Sequence, residues 1–375
     1  MLAYLDHAAT TPARPEAVAA MLPWLGGRFG NPSGTHAVAR AARAAIDEAR
    51  DVVAAGLGVP AGGVVFTAGG TEADNLAVAG VLADRPGRIV TTAIEHHAVL
   101  HACGATGRRV DVVGCHREGV LDLDALQCCL GRDVAVVSVM LVNNEVGTIQ
   151  PLDDVVKLVR RLAPSALIHT DAVQAVPWLD VASLAAGADL ISVSAHKFGG
   201  PQGVGALALR GDPGLRPILH GGGQERDRRS GTHNVAGIAG MAAALDATID
   251  SRATDVARVG RLRDRLANTL LAAVPDCAET GRRSNKVAGN CHLRFAGIES
   301  ESLLVLLDDA GVCASAGSAC ASGALEASHV LLAMGISEAE ALGSLRLTLG
   351  PTTTSEDVDR ALEIIPAAVA RLRAV

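Results

Sequence analysis

The chain has 375 residues, more than one hydrophobic core usually serves, so two domains are expected. A hydrophobic content of 49 % supplies a large core, while a net charge of −7 and only 2 % aromatics exclude a generally basic nucleic-acid binder and a base-stacking platform. No apolar run reaches the roughly 18 residues that cross a bilayer, and Met1-Leu2-Ala3-Tyr4-Leu5-Asp6-His7 has no basic region leading into an apolar stretch, so a cytoplasmic protein without a signal peptide is expected.

In chain order, the first dozen residues read as an extended segment joining one of the two domains. Residues 36–57 place Val38, Ala41, Ala42, Ala45, Ile46, Ala49, Val52 and Val53 at helical spacing. Between about 64 and 209, short apolar runs recur at 64–67, 88–92, 110–113, 134–142, 166–170 and 189–193, with helix-like segments or turns between most of them. Apolar strands alternating with helices predict an α/β fold with a mostly parallel central sheet buried on both faces. Beyond about residue 250, a long helix over 256–274 and strands over 290–295 and 344–349 predict a smaller α+β domain. The expected division is a large domain over 14–249, and a small domain made of 1–13 and 250–375 that carries Cys320.

Functional groups in such sheets gather at the carboxyl ends of the strands. Here those ends carry Gly69-Gly70-Thr71, Glu95-His96, Asn143-Asn144-Glu145, Asp171 and Ser194-Ala195-His196-Lys197. Residues 64–75 read as strand, glycine turn and helix start, where free N–H groups favour an anion and Thr71 adds a hydroxyl; an ordinary strand-to-helix turn has the same pattern. The motif is neither G-x-G-x-x-G nor a Walker A loop. Of three lysines, Lys157 sits in a solvated helix pattern and Lys286 in a polar loop. Lys197 alone ends an apolar strand, where an amine can act as nucleophile and base; alone it also suits a surface turn. Asp171 can pair with a protonated pyridine nitrogen, or cap a helix. A phosphate cradle, an acid and a lysine on one sheet match the needs of a cofactor with a phosphate, a ring nitrogen and an aldehyde.

The eight cysteines form no C-x-x-C pair, which argues against a disulfide framework. Most of them are expected to be small packing residues. Cys320 lies in Ala314-Ser315-Ala316-Gly317-Ser318-Ala319-Cys320-Ala321-Ser322-Gly323, a run of small residues expected to form a mobile loop with a reachable thiol.

These motifs, with Tyr4 to Pro12, Gly30-Asn31-Pro32-Ser33, Gly221 to Thr232 and Arg346 to Gly350, make the chain resemble, nearly end to end, cysteine desulfurases of the NifS/IscS-like type. These belong to the class V aminotransferase group of fold-type I pyridoxal-phosphate enzymes. The resemblance implies that fold, and it implies roles. Lys197 would hold pyridoxal 5′-phosphate in a Schiff base. His96 would stack on the ring and shuttle protons, Asp171 would bind the ring nitrogen, and Gln174 the phenolic oxygen. Gly70, Thr71, Ser194 and His196 would hold the phosphate, with Thr232 arriving from a second subunit of a homodimer. Asn144 and Arg346 would meet L-cysteine, Arg346 through its carboxylate. Cys320 would take the sulfur as a persulfide and pass it to an iron–sulfur scaffold or to an RNA- or DNA-thiolating enzyme, without direct nucleic-acid binding. Ala316 and Ala321 stand where many relatives carry Ser and Thr, Pro351 where many carry Arg, and His233 where Glu is common.

Competing readings are an aminotransferase or β-lyase that uses Lys197 but not Cys320, selenocysteine lyase activity, a non-catalytic sulfur carrier, and a metal protein built on His97, His101, His116 and Cys115. Zinc normally takes three or four placed ligands, and no metal is expected.

Overall fold

The computed structural model describes residues 2–316 and 327–374. Twelve strands are present among them. β1 (Ala3–Tyr4) is followed by β2 (Val64–Thr67), β3 (Arg88–Thr92), β4 (Val110–Val113), β5 (Val134–Ser138), β6 (Leu167–Asp171), β7 (Leu190–Ser194) and β8 (Gly205–Leu209), and the chain continues through β9 (Cys277–Glu279), β10 (Asn290–Phe295), β11 (Val312–Cys313) and β12 (Ser344–Thr348). β2 to β8 form a seven-stranded sheet in the order β2-β8-β7-β6-β5-β3-β4. Only β8 runs against the others. β5, β7 and β8 are buried along their whole length, which is why they read as largely apolar runs rather than alternating ones.

One core cluster packs Val53, Leu57, Val137, Ile168, Val193 and Leu245 on one side of this sheet, and another packs Leu76, Ile89, Val136, Leu190 and Leu207 on the other. A third gathers Leu5, Val259, Leu270, Leu293, Phe295, Leu345 and Leu347 around the antiparallel sheet β12-β10-β9. β1 pairs with β11 in parallel, and Asp6 bridges to Thr348, so the N-terminal segment lies along the smaller sheet before crossing to the larger one.

The helix expected at 256–274 runs instead over Val235–Ala273, 39 residues capped by Asn234. Its first half is built from small residues because it lies close to its neighbours: a Cβ on Gly240 would come within 2.6 Å of Met21 Cγ. Its buried residues up to Leu245 belong to the large-sheet core and those from Val259 onward to the small-sheet core. The strand expected over 134–142 ends at Ser138, and beyond it the Met140 N–H is taken by the buried Glu95 carboxylate, 2.7 Å away. Lys286, expected in a polar loop, is buried, with Nζ 3.4 Å from Glu279. Among the described residues no helix is long and apolar enough to cross a membrane.

Candidate active site

β2, β3, β5, β6 and β7 point the same way, and their carboxyl ends converge on one cavity of about 310 Å³. Gly70, Thr71, His96, Asn144, Asp171, Gln174, Ser194, His196, Lys197 and Arg346 all line it. These are ten of the twelve expected site residues. Thr232 is exposed and does not line this chain's cavity, and Cys320 falls outside the described residues.

Gly70 opens the short helix Gly70–Asn75 directly after β2. A Cβ there would stand 2.8 Å from Val173 Cγ2 and 3.4 Å from Ser194 Cβ, so the cradle has room for backbone only. Asp171 closes β6 and accepts a hydrogen bond from Val173 N–H at 2.8 Å. Burial raises its carboxyl above the ordinary range, while that bond and the Lys197 charge work the other way. His96 caps the helix His97–Ala105, its Nδ1 accepting from Ala98 N–H at 3.1 Å, which leaves the ring proton to Nε2 in the neutral imidazole. The surrounding protein, and then the Lys197 charge, push its pKa below the usual imidazole value.

Lys197 follows β7 in a tight turn. Its Nζ donates to the carbonyl oxygens of Ala8 and Ala9 at 2.6 and 2.8 Å. Burial, with the Arg346 charge second, pushes its pKa down to about 8. The N-terminal segment ties the site together at several points. Gln174 Nε2 donates to Ala8 O at 2.9 Å, His196 Nδ1 stands 3.1 Å from Thr10 Oγ1, and Thr11 Oγ1 donates to Lys197 O at 3.1 Å. Arg346 reaches across from β12 in the smaller sheet. Its Nη1 donates to Asn144 O at 3.1 Å and its Nη2 to Asp6 Oδ1 at 2.7 Å, which fixes the plane of the guanidinium and leaves Nε without a partner among the described residues. Asn144 Oδ1 is likewise buried and unpartnered at the cavity wall.

Several lining residues were given no individual role from the sequence: Ala8, Ala9, Asp74, Glu145, Ser315 and His329. Ser315 bridges Arg346, and His329 Nε2 contacts Glu95 O at 2.9 Å. His97 and His101 do stack, with ring centroids 5.1 Å apart, but among the described residues no group of three or more His, Cys, Asp or Glu side chains is placed to hold a metal ion. The seven described cysteines are all free.

Residues 3–361 match the Aminotransferase class-V family. An IscS-like cysteine desulfurase from Mycobacterium tuberculosis is 46 % identical over 385 residues, covering 99 % of this chain and 97 % of that protein. The cysteine desulfurase IscS of Dictyoglomus turgidum is 42 % identical, covering 99 % and 95 %. A solved NifS-like protein superposes with a TM-score of 0.93 at 33 % identity, over 99 % of this chain and all of that one.

Proposed function

We propose a division of chemical labour from one premise: the chain belongs to the aminotransferase class-V family and is a pyridoxal-phosphate-dependent cysteine desulfurase. The cavity suits that cofactor. It offers a glycine cradle that any side chain at Gly70 would fill, a buried acid in Asp171, an amine in Lys197, and an orphaned amide oxygen in Asn144. The single observation that carries the assignment is that five strand ends bring amine, acid and cradle to one cavity, with a cross-sheet arginine at its edge.

On this reading Gly70, Thr71, Ser194 and His196 hold the cofactor's phosphate, Asp171 its ring nitrogen, and Gln174 its phenolic oxygen. His96 would lie against its ring, and Lys197 would hold it through its aldehyde carbon. When bound, the cofactor supplies an electron sink for charge developing at the substrate Cα. Arg346, its fork oriented by Asp6 and the Asn144 carbonyl, binds the carboxylate of L-cysteine, and the Asn144 amide completes the contact. Lys197 Nζ would take the Cα proton. His96, neutral and with its proton on Nε2, is suited to donate a proton within the same cavity. The Cys320 thiolate attacks the substrate sulfur: an S–S bond forms as the Cβ–S bond breaks, the electron pair of that bond stays with the carbon skeleton, and protonation releases it as alanine. Ser315 and His329, which bracket residues 317–326 in sequence, both line the cavity and support this role for Cys320.

The same proposal divides the chain into a large domain over 14–249 and a small domain of 1–13 with 250–375, in keeping with the separate cores around the two sheets. It makes the enzyme a homodimer in which Thr232 completes the neighbour's phosphate site. Exposed Leu22, Leu25 and Phe29 form apolar surface suited to burial against a second copy. Sulfur acceptors are a protein of iron–sulfur assembly or of nucleic-acid thiolation, in the cytoplasm.

Arg346→Lys tests the substrate half of this reading. Lysine keeps the charge and loses the fork, so KM for L-cysteine should rise about 10- to 100-fold, the equivalent of one charge-assisted hydrogen bond. The visible spectrum of the bound cofactor should be unchanged. An unaltered KM would remove Arg346 from substrate binding.

A further inference from the structure

A second acid lies at the Asp171 end of the cavity, and the roles assigned above leave it idle. Asp74 sits in the helix Gly70–Asn75, lines the cavity and is 1 % exposed. Among the described residues its Oδ1 has no hydrogen-bond partner, and it stands 3.6 Å from His169 Nε2. Ser192 hydrogen-bonds the carboxyl group. His169 is held on both sides, with Nδ1 2.8 Å from Ser138 Oγ and Nε2 2.9 Å from Ser192 Oγ, so both its ring nitrogens are engaged without Asp74.

Two neighbouring carboxyl groups that are both buried cannot both ionise cheaply: each loses hydration and each repels the other. Asp171 is the better equipped to hold the charge, with the Val173 N–H on one oxygen and the Lys197 cation acting on it. Asp74 has neither. The titratable groups facing it are Asp171 and His169 from β6, Glu95 from the turn after β3, and the Cys103 thiol from the helix His97–Ala105; β2 and β8 carry no titratable side chain, and β7 presents Ser192. None of these supplies a cation. Burial pushes the pKa of His169 down to about 3, that of Glu95 up to about 8 and that of Cys103 up to about 12.

We propose that Asp74 is a positioning residue that keeps its proton at neutral pH, so that Asp171 alone carries the negative charge offered to the cofactor's ring nitrogen. Asp74 thus acts through Asp171, and the inference rests on the reading of Asp171 given above. Burial, with the Asp171 charge second, pushes the Asp74 carboxyl well above the usual carboxylate range, in the same direction.

The consequence can be read without turnover. The unfolded chain releases the Asp74 proton above the ordinary aspartate pKa while the folded chain retains it, so this group lowers stability progressively as pH rises. Asp74→Asn, an uncharged isostere, removes that penalty. In the full chain, with and without cofactor, the variant should unfold at a higher temperature than the parent, and the gap should widen by about 2 °C per unit between pH 5 and 7. The infrared carbonyl stretch of a protonated carboxylic acid, present in the parent at pH 7, should lose intensity in the variant. The cofactor's visible band and its pH dependence should be the same in both. An Asp74→Asn variant that is less stable than the parent by a margin growing with pH, that loses no such stretch, or that shifts the cofactor's band would overturn the proposal, because Asp74 would then be ionised. Asp171→Asn separates this from the underlying reading. If that variant keeps an unaltered band and cofactor affinity, Asp171 is not the ring-nitrogen partner, whatever the stability of Asp74→Asn shows.

Discussion

Lys197→Ala should give a folded protein that has lost the visible absorbance of a covalently held cofactor and whose L-cysteine turnover falls about a hundred- to ten-thousand-fold, the usual contribution of a positioned base. The size follows from two jobs resting on one atom. Nζ is both the nucleophile that captures the cofactor and the base that removes the Cα proton. The first job has no other lysine to fall to: Lys157 is exposed in the helix Leu152–Leu162, paired with Asp153 and Asp154, and Lys286 is buried against Glu279. The amine is also tuned. With its pKa pushed down to about 8, a fraction of about a tenth is neutral at pH 7, far more than for a solvated lysine. The fold should survive the change. His196, Thr11 and Gln174 still tie the N-terminal segment to the large sheet when the two Nζ contacts to Ala8 and Ala9 are lost. Absorbance of the purified variant, set against its thermal unfolding, checks both statements. A variant with a normal visible band would place the captured aldehyde on another group.

Cys320→Ala should do the opposite to the spectrum and the same to the product. The bound cofactor's absorbance should be retained, since no group that holds it is touched, and it should still respond to L-cysteine, since Lys197 and Arg346 are intact. Sulfide release with a reductant should fall to the background of the cofactor alone, because no thiolate is left to accept the sulfur atom. None of the seven described cysteines lines the cavity. Cys103 and Cys291 are buried, and burial pushes their thiols up to about 12, well away from the thiolate that attacks. Burial likewise pushes Cys115 and Cys277 up to about 11. Substantial sulfide release by Cys320→Ala would favour a β-lyase that uses Lys197 without Cys320.

Much of this site can be read from sequence because its groups sit where apolar strands stop. A polar cluster after an unbroken apolar run stands out, and five such clusters on one sheet must meet at one edge. Lys197, Asp171, His96 and Gly70 are of that kind. Arg346 carries no such signal. It lies within a buried strand of a different sheet, and only the end-to-end resemblance picked it out. Asp74 is obscured for another reason. An acid in the first turns of a helix ordinarily faces solvent and favours the helix dipole, and nothing in the pattern Thr71-Glu72-Ala73-Asp74-Asn75 says that Glu72 reaches Arg229 while Asp74 turns inward. The Ala8 and Ala9 carbonyls are backbone groups and have no sequence signature at all. The helix Val235–Ala273 was legible only in its second half, where a polar face alternates with Val259, Leu266 and Leu270. The first half is buried nearly all round, and its glycines, which look like breakers, are there for close approach.

The most direct test of the whole account is a stoichiometric one on the unaltered protein. Purified enzyme with its bound cofactor is mixed with a limiting amount of L-cysteine and no reductant, and alanine is quantified alongside the mass of the peptide containing Cys320. Alanine should appear in proportion to a one-sulfur mass increase on that peptide, and a thiol added afterwards should remove the extra sulfur. Pyruvate and free sulfide in place of alanine, or alanine with the added sulfur on a different cysteine, would contradict it.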